Sequence, residues 1–403
     1  MKTLGCLQGL LIAIATGWSL SAVAAVIKSV RSGTVAMAAA IQTVNFAAPG
    51  VNAARSFVVC QQDQNGGVGG GGSDPAFRAT CVLTNNTTLT ITTSVANANQ
   101  TVQWYVAEFL SGVTVQRGLQ TIAAASLAGA AIPIVAVNRA RSFVLISETL
   151  NSTSQTIDER WTVRAQLTSG TNLQLSRDES GTAVTVAWQV VQIDGAAVQF
   201  NNAVTTIAAG SVTQTAVLAP PVDPSRTFLV FSRSGGTNVT GEEGLYQVTG
   251  ELTNSTTVTF TRSSSGGGTR EIDIFWFAVR MTDGTTVQRS VAGGCGPSGV
   301  PGGSGTATQL MPNLPAGCLT IPTAVTTNRS VPFVSARLSA ASTATSNLDD
   351  TTWRAGLGAG PTSGAIILTR AGSLTSNSHA VWQVVQFNDK ANLIDGDGRE
   401  IFP

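Results

Sequence analysis

Histidine occurs once in this chain of 403 residues, lysine three times and tyrosine twice, and charged side chains make up only 11% of it. Each shortage excludes something. A lone His379, in a Ser/Asn stretch just before Trp382, leaves no imidazole pair for zinc. Neither a Gly-x-Ser-x-Gly elbow nor a His-Glu-x-x-His motif occurs. The run Gly67 to Gly72 matches Gly-x-Gly-x-x-Gly only as any glycine tract does, and no helical pattern follows to face a phosphate. The sequence therefore predicts a non-enzyme with no cofactor. Twenty-three basic residues oppose 22 acidic ones. Loss of Lys2 with a leader brings the formal charge to zero. Such a chain has no electrostatic footprint for nucleic acid or an anionic membrane, and weak mutual repulsion favours self-association. Two tyrosines cannot build the aromatic girdles of an outer-membrane barrel.

Long apolar runs are equally scarce, with one exception. Lys2, the stretch Leu7 to Leu20 and the small residues Ser21 to Ala25 read as a secretory signal peptide over residues 1–25, cut after Ala24 or nearby. An uncleaved anchor is the rival reading, but the run falls short of the ~20 residues of a span. The expected mature chain has no transmembrane segment and is secreted, extracellular or held at the cell surface. Of five cysteines, Cys6 leaves with the leader. The other four form two local pairs, Cys60 with Cys81 and Cys295 with Cys318. Four cysteines allow three connectivities, and local pairing in an oxidising compartment is the simplest. Metal ligation is disfavoured by the absence of Cys-x-x-Cys and of neighbouring histidine.

What the chain does have is repetition. A strand-like run opens on tryptophan four times, at Trp104, Trp188, Trp276 and Trp382, at intervals of 84, 88 and 106 residues. Short runs of alternating apolar and polar residues recur around it in the same order, such as Val163, Ala165 and Leu167 against Arg164 and Gln166. These predict an all-β chain of four tandem antiparallel β-sandwich repeats. The repeats cover residues 26–110, 111–194, 195–282 and 283–390, and a tail or exchanged strand covers 391–403. The four tryptophans are expected in the cores. Parity blurs after Trp188, where Val190, Val191 and Ile193 are all apolar, as a bulge or burial on both faces would require. Linkers are nearly absent. Asp194-Gly195 and Asp283-Gly284 resemble hairpin turns, so each Trp strand is expected to pair with the opening strand of the following repeat.

One constellation recurs before the fourth strand, adjacent acids followed by an aromatic. It comprises Asp158 and Glu159 with Trp161, Glu242 and Glu243 with Tyr246, and Asp349 and Asp350 with Trp353, with Asp74 and Phe77 as a thinner version. Such loops can stack and hydrogen-bond a sugar or ligate Ca²⁺. The commoner arrangement is an aromatic packed at the strand entry beside solvated acids. Arg177, Arg262 and Arg370 end the fifth strand of their repeats and are expected to make structural pairs. Asp395 and Asp397 hint at a calcium loop without its full ligand spacing.

Arg141-Ser142-Phe143-Val144-Leu145-Ile146, Asp158, Val163-Arg164-Ala165 and the closing Val186-Ala187-Trp188 resemble an H-type lectin domain. That resemblance implies a six-stranded sandwich whose members bind sugars as oligomers. The Gly-Phe and second tryptophan of that family are unmatched here, so no binding residue is carried over. Two functions follow as expectations. The first is a structural or adhesive surface protein, self-assembling head to tail into filaments through a first strand and a last strand that lack partners. The alternative is a secreted glycan-binding module using the acid-aromatic loops.

Overall fold

The computed structural model describes residues 25–63, 78–151, 160–235, 247–263, 271–290, 309–310, 318–338, 352–370, 378–389, 393–394 and 400–401. The signal segment, apart from Ala25, lies outside these residues. So do the expected sites at Asp158, Glu159, Glu242, Glu243, Tyr246, Asp349, Asp350, Asp395 and Asp397, and so does Cys295. Among the described residues no helix is long and apolar enough to cross a membrane.

Alternating Val, Thr and Ile in short runs favour pleated, half-buried strands, and the described chain is nearly all β. Module one contains β1 (Val26–Met37), β2 (Ile41–Asn45), β3 (Ser56–Asp63), β4 (Thr80–Asn85), β5 (Thr88–Thr92) and β6 (Asn97–Ser111). They form two antiparallel sheets, ordered β1-β6-β3 and β2-β5-β4. Module two repeats this plan with β7 (Val113–Ile122), β8 (Ile132–Pro133), β9 (Ser142–Leu150), β10 (Arg164–Ser169), β11 (Asn172–Ser176) and β12 (Val184–Ile193). In module three the opening strand is broken into β13 (Ala196–Phe200) and β14 (Thr205–Ile207). β15 (Thr213–Val217), β16 (Thr227–Gly235), β17 (Val248–Asn254), β18 (Thr257–Arg262) and β19 (Ile272–Met281) complete it. Module four has β20 (Thr286–Arg289), β21 (Gln309–Leu310), β22 (Thr320–Thr326), β23 (Ser330–Leu338), β24 (Arg354–Leu357), β25 (Thr362–Arg370) and β26 (Ser378–Gln386). The tail segments β27 (Leu393–Ile394) and β28 (Glu400–Ile401) pair with each other.

The Trp strand is the middle strand of its own module. β6 pairs with β1 and β3, and β12 with β7 and β9. The expected pairing with the next module is thereby corrected: both ladder edges of the Trp strand are already occupied, and the Asp-Gly turns only carry the chain onward. Trp104, Trp188, Trp276 and Trp382 are all buried. The strand opposite must make room for the indole. A Cβ on Gly33 would lie 2.7 Å from Trp104, and one on Gly118 2.6 Å from Trp188, closer than unstrained packing permits. Module three has Asn201 there instead, accepting from Trp276 N at 2.9 Å and donating to the Ile274 carbonyl at 2.8 Å. Its side chain takes over ladder bonds, and this is where β13 ends.

The blurred parity of the Trp strands comes from burial on both faces. In β12, Val186 and Trp188 but also Val191 and Ile193 are buried. One face fills the module's own sandwich. The other joins an apolar core to which all four modules contribute, through residues such as Phe57, Phe143, Phe228 and Phe387.

That shared core closes the four modules into a ring, and one hydrogen bond recurs at every junction. The backbone N–H of Cys81 donates to Ser147 Oγ (3.0 Å), that of Ala165 to Ser232 Oγ (2.9 Å), that of Gly250 to Ser335 Oγ (3.3 Å) and that of Ala355 to Gln61 Oε1 (2.6 Å). The donor sits on the fourth strand of one module and the acceptor on the strand after the 3-10 turn of the next. The last bond joins module four to module one, with glutamine in place of serine. Aromatic contacts follow the same circuit: Phe57 with Phe143, Phe143 with Phe228, Phe228 with Phe333, and Phe387 with Phe57, at centroid distances of 5.6–6.2 Å.

The first and last modules thus meet inside one molecule. Ile27 N donates to the Asn388 carbonyl at 2.9 Å, and β1 packs on the turn Thr327–Arg329 as β7 packs on Ala53–Arg55. β1 lies against module four rather than at an open end, and β27 has a partner in β28.

Candidate functional site

Equivalent strands of all four modules converge on the ring axis, and residues at matching positions surround it. At one end the phenylalanines fill the axis. Towards the other lies a cavity of about 270 Å³, open to solvent, near the lower end of the size range for small-molecule sites. Cys60, Ile146, Phe231 and Val334 form one level of its wall, Gln61, Ser147, Ser232 and Ser335 the next, and Gln62, Glu148, Arg233 and Ala336 a third. Residues just ahead of the fourth strands add Arg78, Thr162, Gln247 and Thr352. A second cavity of about 310 Å³ shares the first two levels and reaches Gln189 and Gln383.

In β9 the apolar start from Phe143 to Ile146 gives way to Ser147 and Glu148, both half-buried. Glu148 borders the cavity and is half-buried. Desolvation consequently raises its carboxyl above the ordinary carboxylate range, against the opposing charges of Arg78 and Arg233. No described residue donates a hydrogen bond to it. Arg78 lies with its guanidinium 4.6 Å from the centre of the Trp161 ring, a cation–π seat that holds its plane fixed. Its buried Nε has no hydrogen-bond partner among the described residues.

Of the acid-aromatic constellations, only the aromatic members Trp161 and Trp353 are described. Both are buried, at 0% and 4% exposure. Trp161 supports Arg78, and Trp353 lies beneath Arg370 at 5.5 Å while forming part of the cavity wall. Arg177 is itself buried, and its guanidinium donates to the carbonyls of Ala123, Ala124, Ser126, Arg160 and Thr182, fastening loops to the end of β11. Arg262 likewise reaches the carbonyls of Ser211 and Ala208, and Arg370 reaches Ser378 Oγ. Cys60 and Cys81 form a disulfide between the two sheets of module one. Cys318 is also disulfide-bonded, to a residue outside the described set. His379 lies across from Arg337 in the β23–β26 ladder, and burial lowers its pKa. Among the described residues no group of three or more His, Cys, Asp or Glu could hold a metal ion.

Glu148, Arg78 and Arg233 did not stand out from the sequence. Aligning the four modules on Ser56, Ser142, Thr227 and Ser330 places Gln62, Glu148, Arg233 and Ala336 in one column. Four unlike side chains there, shortly after a run of mainly apolar columns, were the available signal. No protein-family model matches the chain, and no curated protein matches it in sequence.

Proposed function

We propose that the chain is an exported, non-enzymatic structural or adhesive surface protein that works as one rigid block. The observation that carries this reading is the closure of module four onto module one by the hydrogen bond and aromatic contact found at the other three junctions. A closed ring of sandwiches with a common core resists shear and local opening better than a string of separate domains. The Cys60–Cys81 bridge suits an oxidising compartment. Head-to-tail polymerisation by strand exchange loses its motive, because the first module's edge is met within the same chain. The block would join other surfaces side by side, where near-zero charge and few lysines offer little opposition. Glycan binding by stacking on Trp161 or Trp353 is disfavoured, since neither ring is accessible.

Light scattering and electron microscopy of secreted protein test the reading. Discrete four-lobed particles, whose outline is unchanged by deletion of residues 392–403, are expected. Long polymers abolished by that deletion would reinstate strand exchange. Saturable binding on a glycan array without cell-surface retention would favour the lectin-like alternative.

A further inference from the structure

In each module the sheet that carries the fourth strand has two edges. One faces a neighbouring module, to which the backbone N–H of Cys81, Ala165, Gly250 or Ala355 is bonded. The other, formed by β2, β8, β15 or β22, has no strand beyond it among the described residues. An unguarded edge invites pairing with another chain, and here the modules differ. In module two β8 shrinks to Ile132–Pro133, and Ile134 N turns inward to the Thr171 carbonyl. Alternation then puts Pro133, which has no N–H, at the outward position. In module four β22 contains Pro322, and its register shifts between Thr320 and Val325. Modules one and three have no such guard. β2 reads Ile-Gln-Thr-Val-Asn and β15 reads Thr-Gln-Thr-Ala-Val, with neither charge nor proline. Ile41 is 60% exposed and Val217 77%.

We propose that β2 of one ring pairs antiparallel with β15 of a second copy of this chain. This names the partner for the side-by-side joining proposed above, and rests on that reading for the crowding that sustains the contact. Hydrogen-bond phase and side chains select the pairing. Thr93 N donates to the Ala40 carbonyl and Phe46 N to that of Thr87, so Gln42 and Val44 also bond inward to β5. Ile41, Thr43 and Asn45 consequently turn their backbone groups outward. Bonds from Arg262 N to the Val212 carbonyl and from Leu218 N to that of Thr256 set the same phase in β15. There Thr213, Thr215 and Val217 turn outward. Set antiparallel, Ile41 meets Val217, Thr43 meets Thr215 and Asn45 meets Thr213, every pair in bonding phase. Among the described residues only the Thr215 carbonyl has a prior bond, from the adjacent Gln214 side chain, and its second lone pair is open. Pairing β2 with β2 would set Ile41 against Asn45, and β15 with β15 would set Val217 against Thr213. Modules one and three stand opposite each other in the ring. Each copy thus offers one edge on either side, and the contact runs on into a row. Two strands of 5 residues make a small contact, below the area of a stable complex, so dilute rings stay single.

Analytical sedimentation of the full mature chain is the test. Its average mass should rise between about 10 μM and about 1 mM, and deletion of residues 392–403 should leave that rise intact. Thr215→Pro removes an outward N–H, as Pro133 does in module two, and should abolish the rise without lowering the melting temperature. Should that variant fail to fold, cysteine pairing decides. Thr43→Cys and Thr215→Cys chains, mixed and mildly oxidised, should cross-link at least about tenfold faster than either alone, because opposed Cα atoms about 5.5 Å apart admit a disulfide. A constant mass up to about 1 mM, a rise that survives Thr215→Pro, or Thr43→Cys linking to itself as fast as to Thr215→Cys would each overturn the pairing. Rows formed by a chain that cells do not retain at their surface would support the pairing and sink the surface reading alone.

Discussion

The four junctions of the ring share one hydrogen bond but are of two kinds. Between modules one and two, Gln189 spans the Val58 backbone, accepting from its N–H and donating to its carbonyl, both at 2.8 Å. Between modules three and four, Gln383 does the same to Leu229, at 2.8 and 2.7 Å. At the other two junctions an aromatic replaces this glutamine, Phe277 in module three and Tyr105 in module one, and a pair of carboxylate and guanidinium is added. Arg164 of module two reaches Asp273 at 3.2 Å and Ser234. Arg354 of module four pairs with Asp63, and Tyr105 donates to the Ala355 carbonyl at 2.8 Å. The structural unit is therefore a pair of modules, used twice. The contact that closes the ring is the counterpart of the one in its middle, which is why closure needs no special device.

The largest loss is expected where both kinds of junction depend on one side chain. Phe143 touches Phe57 across an amide junction and Phe228 across a charged one. Phe143→Ala should cost about 4 kcal/mol in chemical denaturation, with modules two and three losing cooperativity together. A transition shifted by less than about 1 kcal/mol would mean that the shared core is not a single unit.

Arg354→Met strikes only the closing junction. It leaves Asp63 buried without its cation and should cost about 3 kcal/mol. Burial already pushes the Asp63 carboxyl up, with the Arg354 hydrogen bond and charge only partly opposing it. The loss should therefore be smaller in mild acid, where Asp63 can take a proton, than at alkaline pH. Because no peptide link spans this junction, small-angle scattering should show expansion before the modules melt. The matching change at Arg164, across a junction that is covalently linked, should not expand the particle.

Gln189→Leu tests the amide junctions. It strips the Val58 N–H and carbonyl of their partners and should cost about 2 kcal/mol, the usual penalty for stranded buried polar groups. Amide exchange at Val58 should accelerate while exchange at Leu229, held by the intact Gln383, stays slow.

The modules were legible in the sequence and the ring was not, for a physical reason. Sandwich strands announce themselves by alternation, and Trp104, Trp188, Trp276 and Trp382 mark the same place in each. Junction contacts run from a side chain to a backbone group 131 residues away in the case of Gln189 and Val58, and 294 in the case of Ala355 and Gln61. Backbone groups carry no residue label, so nothing in the sequence marks Val58 as a target. One trace was visible. Val190 and Val191, adjacent and both apolar, fitted either a bulge or a strand with two dry faces, and a second dry face requires a neighbour. The cavity charges were hidden for the opposite reason. Arg78 and Glu148 come from different modules and mean little until the ring sets them beside each other.

The smallest effect concerns Asp283, in the turn between modules three and four, and it separates that amide junction from its twin through pH. One oxygen of Asp283 accepts from Thr285 N at 2.8 Å, and the other is buried with no partner among the described residues. Desolvation raises its carboxyl above the ordinary value, only partly countered by the Thr285 hydrogen bonds and the Arg226 charge. The folded state then holds this proton more tightly than the unfolded chain does. Stability from this group should be fullest below the ordinary carboxylate range and should fall as pH rises from there through the raised value. Asp283→Asn keeps an oxygen for Thr285 and removes the buried charge. It should raise stability at neutral pH by about 1 kcal/mol and flatten part of the slope in mild acid. The corresponding turn between modules one and two has Ser111-Gly112 and no acid, so amide exchange in that turn should show no matching pH dependence. A variant less stable than the parent at neutral pH, with its slope intact, would show that Asp283 is held by contacts favouring its charged form.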